Sequence, residues 1–213
     1  MIDTFAISFT DVVRGRLARR EGSKQPPVQR PVERVDMDKV KRIAVMLVVV
    51  FLVVAFDQVT KSIAQANLRG TPPIIYLNDM ARLQYAENTG AFLSLGARLP
   101  EAAQRWIFVG AVSVVLLALL IYALLELENL QMLLLIGFAL ILAGGVGNLI
   151  DRVLNDGRVV DFMNVGIGRL RTGVFNVADM ALMAGVGLVL VVGLLSKEER
   201  HQESADSSPS ATS

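Results

Sequence analysis

The chain has 213 residues, 53% of them hydrophobic and 19% charged, with a formal net charge of +1. A soluble domain of this length carries more charge, and a balance this close to neutral invites no nucleic-acid partner. There is no cysteine, and the single histidine, His201, lies in a polar tail, so disulfides, thiolate zinc sites, cysteine nucleophiles, Ser-His catalysis and histidine-based metal sites are all excluded from the apolar part of the chain. Chemistry is left to carboxylates, amides, Lys/Arg and hydroxyls, with no metal and no cofactor expected.

Residues 1–42 hold ten Lys/Arg, six Asp/Glu and three prolines with little apolar periodicity. Residues 1–38 read as a flexible polar extension, and the tail 197–213 reads the same way. The stretch 5–13 is too short and interrupted for a signal-peptide core. Between these ends lies one membrane domain, 39–196. Its first apolar run, 43–56, is too short to cross a hydrocarbon core that takes about 20 helical residues. It must therefore run on to about Ile63, taking Asp57 and Lys61 into its last third. Further spans are expected at about 105–125, 130–150 and 174–195, with Trp106 and Tyr122 near the ends of the second as interface anchors. Only 126–129 joins the second and third, a tight helical hairpin. The connection 64–104 opens with Pro72-Pro73. Its stretches 74–77 and 82–86, rich in Ile, Tyr and Leu, predict a small sheet at the membrane surface. The connection 151–174, with glycines at 157, 166, 168 and 173, reads as a loop. The expected fold is an all-α membrane protein of four transmembrane helices with a small extracytoplasmic β-sheet between helices one and two.

Four spans alternate in direction, so the end of span one, the end of span three, the start of span four and both long connections share one face. The polar residues that interrupt apolar sequence lie at that face: Asp57, Lys61, Asn88, Asn148, Asp151, Arg152, Asp161, Asn176 and Asp179. Ionisable groups at membrane depth are costly and mark function, and their gathering at one depth suggests a site open to one compartment. Lys24, Arg30, Arg34, Lys39, Lys41 and Arg42 precede span one, and Lys197 and Arg200 follow span four. The opposite loops carry seven arginines. The cluster before the first span places both termini inside and the site outside.

Each motif has a plain structural reading beside the functional one. Asp57 and Lys61 in DQVTK are four apart, which suits an ion pair at a helix end, substrate contact, or positioning of a neighbouring loop. In AGGVGNLIDR, 143–152, the small residues suit close helix approach. Asn148 and Asp151 lie one turn apart, and Asp151 with Arg152 suits a salt bridge that ties down the loop. Arg152 could also donate to a substrate carbonyl. Asn176 and Asp179 in FNVAD have the spacing of a capping box, although an aspartate is short for that role. Asp161 in VVDF sits between apolar neighbours in a loop. Asn88 in NTGAF opens a turn, or its amide could hold a peptide strand beside the sheet.

Taken together, DQVTK at 57–61, NTGAF at 88–92, GGVGNLIDR at 144–152, VVDF at 159–162 and FNVAD at 175–179 resemble the lipoprotein signal peptidase family, in its order and on four spans. The likeness covers about residues 40–196. It implies an aspartic endopeptidase that cleaves just before a lipid-modified cysteine, with Asp161 and Asp179 as the catalytic dyad. It further implies a site lined by Asp57, Lys61, Asn88, Asn148 and Arg152, with Asn176 beside the dyad and Asp151 in support. The expected partners are diacylated prolipoprotein signal peptides and membrane lipid, the chain acting as a monomer in the bacterial inner membrane. One departure is that the family usually has two small residues before the aromatic of NTGAAFS, whereas here Phe92 and Leu93 follow Ala91 directly. A bulkier loop there would narrow the entrance.

Three rival functions compete with this one. A transporter or channel would place polar groups near the midplane, yet span two offers only Ser113 and span three none before Asn148. A Ser-Lys protease would use Lys61 with Ser62 or Ser94. A non-enzymatic scaffold would leave the costly Asp/Asn cluster unexplained.

Overall fold

In the computed structural model the described residues are 36–89 and 100–206. Most of the N-terminal extension (1–35), the 90–92 part of NTGAF, Ser94 and the end of the tail (207–213) lie outside them. Among the described residues, four helices are long and apolar enough to cross a membrane. The first, α1 (Met37–Leu68), starts before the apolar run because Asp36 caps it, accepting from the amides of Asp38 at 3.0 Å and Lys39 at 3.4 Å. Its 32 residues exceed what the hydrocarbon core needs, so its last turns carry Asp57 and Lys61 toward a polar end. Next come α2 (Glu101–Leu125), α3 (Met132–Leu154) and α4 (Val177–Asp206). The last helix continues through 197–206, a stretch read as flexible from its polarity, because Lys, Glu and Arg are good helix formers.

The central helix is α3. Half of its most apolar stretch is buried inside the protein, against 11% for α1 and for α2. Glycine lets it approach α4 closely: a Cβ on Gly144 would run into the Ala178 carbonyl. The α2–α3 turn is closed by Arg42, whose Nη1 donates to the carbonyls of Leu127 at 2.9 Å and Leu130 at 2.6 Å, and by a Lys39–Glu128 ion pair. Beside it Met46, Ala123, Leu127, Leu135, Ala139 and Leu142 form a tight apolar cluster. Outward-facing positions such as Phe51, Phe56, Val114 and Leu190 are exposed, as a lipid-facing belt requires.

At the other end sits a four-stranded antiparallel sheet in the order β1 (Ile74–Tyr76), β2 (Ala81–Asn88), β3 (Val159–Ile167), β4 (Leu170–Arg171). The first two strands match the expected 74–77 and 82–86. The other two correct the expectation that the sheet lies only between helices one and two, and that 151–174 is a loop. The run Val159-Val160-Asp161-Phe162-Met163 is a β-branched and aromatic strand whose signal is obscured by the flanking glycines. Asp161 therefore sits on a strand paired with β2, opposite Ala86, while Asn88 pairs with Val159.

Candidate active site

The polar end is built outward from Lys61, which is buried. Its ammonium lies 2.8 Å from Asp57 Oδ2 and 3.1 Å from Asp151 Oδ2, and donates to Asn148 Oδ1 at 3.0 Å. All three of its N–H donors thus have partners. Each carboxylate it holds also reaches another element. Asp57 Oδ1 accepts the Ala178 amide at 2.8 Å, at the start of α4. Asp151 Oδ2 accepts the Val160 amide at 2.9 Å, on β3. Gln58 closes the cluster, the two N–H donors of its amide shared among Asp57 Oδ2 (3.2 Å), Asp151 Oδ1 (3.0 Å) and the Gly147 carbonyl (3.2 Å). The glycine at 147 is needed here, since a Cβ would fall 2.8 Å from Asp57 Oδ2 and 3.2 Å from Ala178 Cβ.

Asp161 and Asp179 meet above this cluster through two asparagines. Asn176 Nδ2 donates to Asp161 Oδ1 at 2.6 Å and to Asn148 Oδ1 at 3.0 Å, and lies 3.3 Å from the Val160 carbonyl. Asn148 Nδ2 donates to Asp179 Oδ1 at 2.7 Å. With two donors facing its oxygen and a carboxylate facing its nitrogen, the Asn148 amide has one orientation that fits. The Asn176 amide N–H donates to Asp179 Oδ2 at 3.1 Å, and Asp179 N–H donates back to Asn176 Oδ1 at 2.9 Å. This is a complete capping box, so the short aspartate does reach back, contrary to expectation, and Asp179 closes the helix start while keeping Oδ1 on Asn148. Asn88 Nδ2 reaches Asp161 Oδ2 at 3.1 Å from the end of β2.

Asp161 is 1% exposed. Its carboxyl is held up from 3.8 to about 6 on balance: burial raises it most and the nearby Asp179 charge adds to that, while the Asn88 and Asn176 hydrogen bonds and Lys61 pull it down. A carboxyl that exchanges its proton near neutrality beside a second carboxyl is suited to acid–base work.

The nine residues singled out from the sequence converge on this end. Eight form one hydrogen-bonded network, and Arg152 joins its edge, donating through Nη1 to the Asn148 carbonyl at 3.3 Å. The expected Asp151–Arg152 ion pair is not what holds Asp151. Adjacent helical residues point apart, and Asp151 turns instead to Lys61 and the Val160 amide. Sequence reasoning gave no role to Gln58; it read Gly147 as allowing close helix approach, which its contact with Ala178 bears out, but did not foresee the Asp57 carboxylate beside it. The signal for Gln58 was its place beside Asp57, an amide at membrane depth that needs partners.

A family model described as Signal peptidase (SPase) II matches residues 49–195. The lipoprotein signal peptidase of Photorhabdus laumondii subsp. laumondii is 36% identical over 160 residues, covering 72% of this chain and 89% of that protein. That of Syntrophus aciditrophicus is 31% identical over 159 residues, covering 75% and 97%. A bacterial membrane enzyme solved by the in meso method at 1.9 Å superposes with a TM-score of 0.60 at 30% identity, covering 71% of this chain and 94% of that one. A second, solved at 2.3 Å, gives 0.58 at 26% identity, covering 80% and 96%. With the model spanning most of the apolar domain and the relatives nearly full-length, this multi-pass membrane protein belongs to the signal peptidase II family, the lipoprotein signal peptidases.

Proposed function

We propose that the chain is an aspartic endopeptidase that cuts prolipoprotein signal peptides immediately before the diacylglyceryl-modified cysteine, with Asp161 and Asp179 as its catalytic pair. The observation that carries this reading is that one residue, Asn176, hydrogen-bonds both carboxyls, through its side chain to Asp161 and its backbone to Asp179. Two carboxyls bridged by one residue, Asp161 buried and Asp179 half-buried, cannot both ionise easily, so they hold one proton between them. The charged member takes a proton from a water, which attacks the scissile carbonyl. The neutral member donates to the carbonyl oxygen, and a proton then passes to the leaving amine. The pair titrates as a unit, so base and acid are not assigned to separate residues.

Asn88, exposed at the end of β2, and Arg152 are the groups placed to hold the substrate backbone. Asp57, Lys61, Gln58, Asp151 and Asn148 position the pair. The substrate enters sideways from the bilayer with its acyl chains in lipid, and meets the pair at the outer face of the inner membrane, both termini of the enzyme being cytoplasmic. A monomer contains every residue the reaction uses.

The Ser-Lys alternative is disfavoured by geometry. All three Lys61 donors are engaged with Asp57, Asp151 and Asn148. Ser62 is exposed and donates to the Gln58 carbonyl of its own helix at 2.8 Å. The test is processing of a diacylated prolipoprotein in detergent by wild type, Asp161→Asn and Asp179→Asn, with and without a chelator. Cleavage by wild type alone, unaffected by chelator, is expected. A competent Asn variant or chelator-sensitive cleavage overturns the assignment.

A further inference from the structure

A second polar site lies on the other side of the sheet. A cavity of about 280 Å³ opens between the end of α1 (Gln65, Arg69), β2 (Tyr85, Glu87) and the α3–β3 turn (Asp156, Arg158). Its strand residues Glu87 and Val160 pair across β2 and β3, next to the Ala86–Asp161 pair. Neighbouring residues on a strand point to opposite faces, so this cavity is separated from Asp161 by the sheet. It is smaller than the pockets of drug-sized ligands and lined mostly by polar side chains, four of them charged.

That charge is arranged. Glu87 accepts from Arg69 Nη2 at 3.3 Å, from Tyr85 Oη at 2.9 Å and from Arg158 Nη1 at 2.8 Å. Arg69 also lies over the Tyr85 ring, 5.6 Å from its centroid. Two guanidiniums share that carboxylate, and both remain at least half exposed at the cavity. Asp156 stands on the same rim as a second, exposed carboxylate, in a left-handed conformation with φ 53°. The lining therefore offers a positive and a negative pole within one small cavity. It lies where α1 and α3 end, and those ends expose Ile63, Val153 and Leu154. Apolar surface below and a dipolar pocket at the rim of the bilayer match one class of molecule.

We propose that this cavity binds the headgroup of a zwitterionic phospholipid carrying a primary amine, with its phosphate on Arg69 and Arg158, its ammonium at Asp156, and its acyl chains along the exposed ends of α1 and α3. A planar guanidinium pair suits a phosphate, and interfacial arginine is a common partner for lipid phosphate. A headgroup with phosphate alone leaves Asp156 opposed by nothing of opposite sign on the ligand, and a trimethylated amine has no N–H to donate to it. Because Glu87 precedes Asn88 and Val160 precedes Asp161, an occupied cavity steadies the strand ends that carry the site.

The test is lipid binding by the full chain in mild detergent, read by native mass spectrometry against phosphatidylethanolamine, phosphatidylglycerol and phosphatidylcholine of equal chain length. The wild type is expected to favour phosphatidylethanolamine by about tenfold in affinity, a difference of about 1.4 kcal/mol. Arg69→Gln/Arg158→Gln loses binding of all three, while Asp156→Asn, at an exposed position, keeps phosphate-dependent binding but levels phosphatidylethanolamine with phosphatidylglycerol. Soluble phosphoethanolamine as competitor separates headgroup capture from chain packing. Equal binding of the three lipids by the wild type, or an undiminished preference in Asp156→Asn, overturns the proposal. Repeating the measurement on Asp179→Asn keeps this result separate from the catalytic reading, since headgroup binding does not involve the pair.

Discussion

Replacing Asn88 by alanine removes a side-chain hydrogen bond that reaches the Asp161 carboxyl from β2, at 3.1 Å to Oδ2. The donor is an amide and the acceptor is best served when charged, so this bond favours the ionised carboxyl and lowers its pKa. A hydrogen bond to a charged group is worth about 1.5–3 kcal/mol. At 1.36 kcal/mol per unit, and taking the lower end because Asn88 is exposed, its loss raises the Asp161 value by about one unit. On the proposed mechanism the Asp161–Asp179 pair works with one proton, which leaves as pH rises. The basic limb of kcat/KM, which reports the free enzyme, therefore moves about one unit to higher pH in Asn88→Ala even as the plateau falls through lost substrate contact. The stability profile moves with it. Asp161 binds its proton more tightly in the folded chain, near 6, than at the unfolded 3.8, so it contributes about 3 kcal/mol below pH 4 that is lost as pH rises through about 6. In the variant that loss extends to higher pH. The assay is initial-rate cleavage of a purified diacylated prolipoprotein from pH 5 to 9. A basic limb that stays in place, or moves to lower pH, refutes the account of Asp161.

Lys61→Met leaves Asp57 and Asp151 buried without their shared cation, and breaking a buried pair on one side costs about 3–5 kcal/mol. Thermal unfolding in detergent should fall clearly, and cleavage should be lost even where folded protein is recovered. Gln58→Leu removes the amide joining Asp57, Asp151 and the Gly147 carbonyl while leaving both salt bridges in place. It is expected to lower kcat about tenfold, or 1.4 kcal/mol, with KM nearly unchanged, and a change confined to KM would assign Gln58 to substrate binding instead. Gly147→Ala forces a Cβ against Asp57 Oδ2, and overpacking of this kind costs about 1–3 kcal/mol. Activity should drop more than the unfolding temperature suggests, because the displaced carboxylate is the one holding the start of α4.

The spans and their polar end were legible because length, hydropathy and alternation of direction are global constraints that individual side chains do not alter. Charged and amide residues at the ends of apolar runs had to find partners, and parity put them together. What the sequence hid is local. The strand at 159–167 looked like a loop because glycines on either side signal turns, while its pairing partner lies in another connection some 75 residues earlier in the sequence. Asp151 was expected to pair with its neighbour Arg152, yet Lys61 is the group that the α1–α3 packing brings to it. Gln58 has no periodicity signal at all, and its role exists only once Asp57 and Asp151 face each other.

The network shows why a membrane enzyme would keep an ionic cluster where an apolar one would be more stable. Asp161 and Asp179 come from different elements, a strand and a helix, and a one-residue slip of β3 would turn Asp161 to the other face of the sheet. Apolar packing between α3 and β3 cannot prevent such a slip, because Val159, Val160 and Phe162 are nearly interchangeable as buried groups. A directional bond can. The Val160 amide is held by Asp151, and the Ala178 amide by Asp57, so each carboxylate fixes the backbone next to one member of the pair. Lys61 then fixes the two carboxylates to each other. The register of β3 and the start of α4 are thus tied to a single ammonium on α1. Desolvating these charges is costly, and the return is not stability but a fixed separation between the two groups that share a proton in the proposed mechanism.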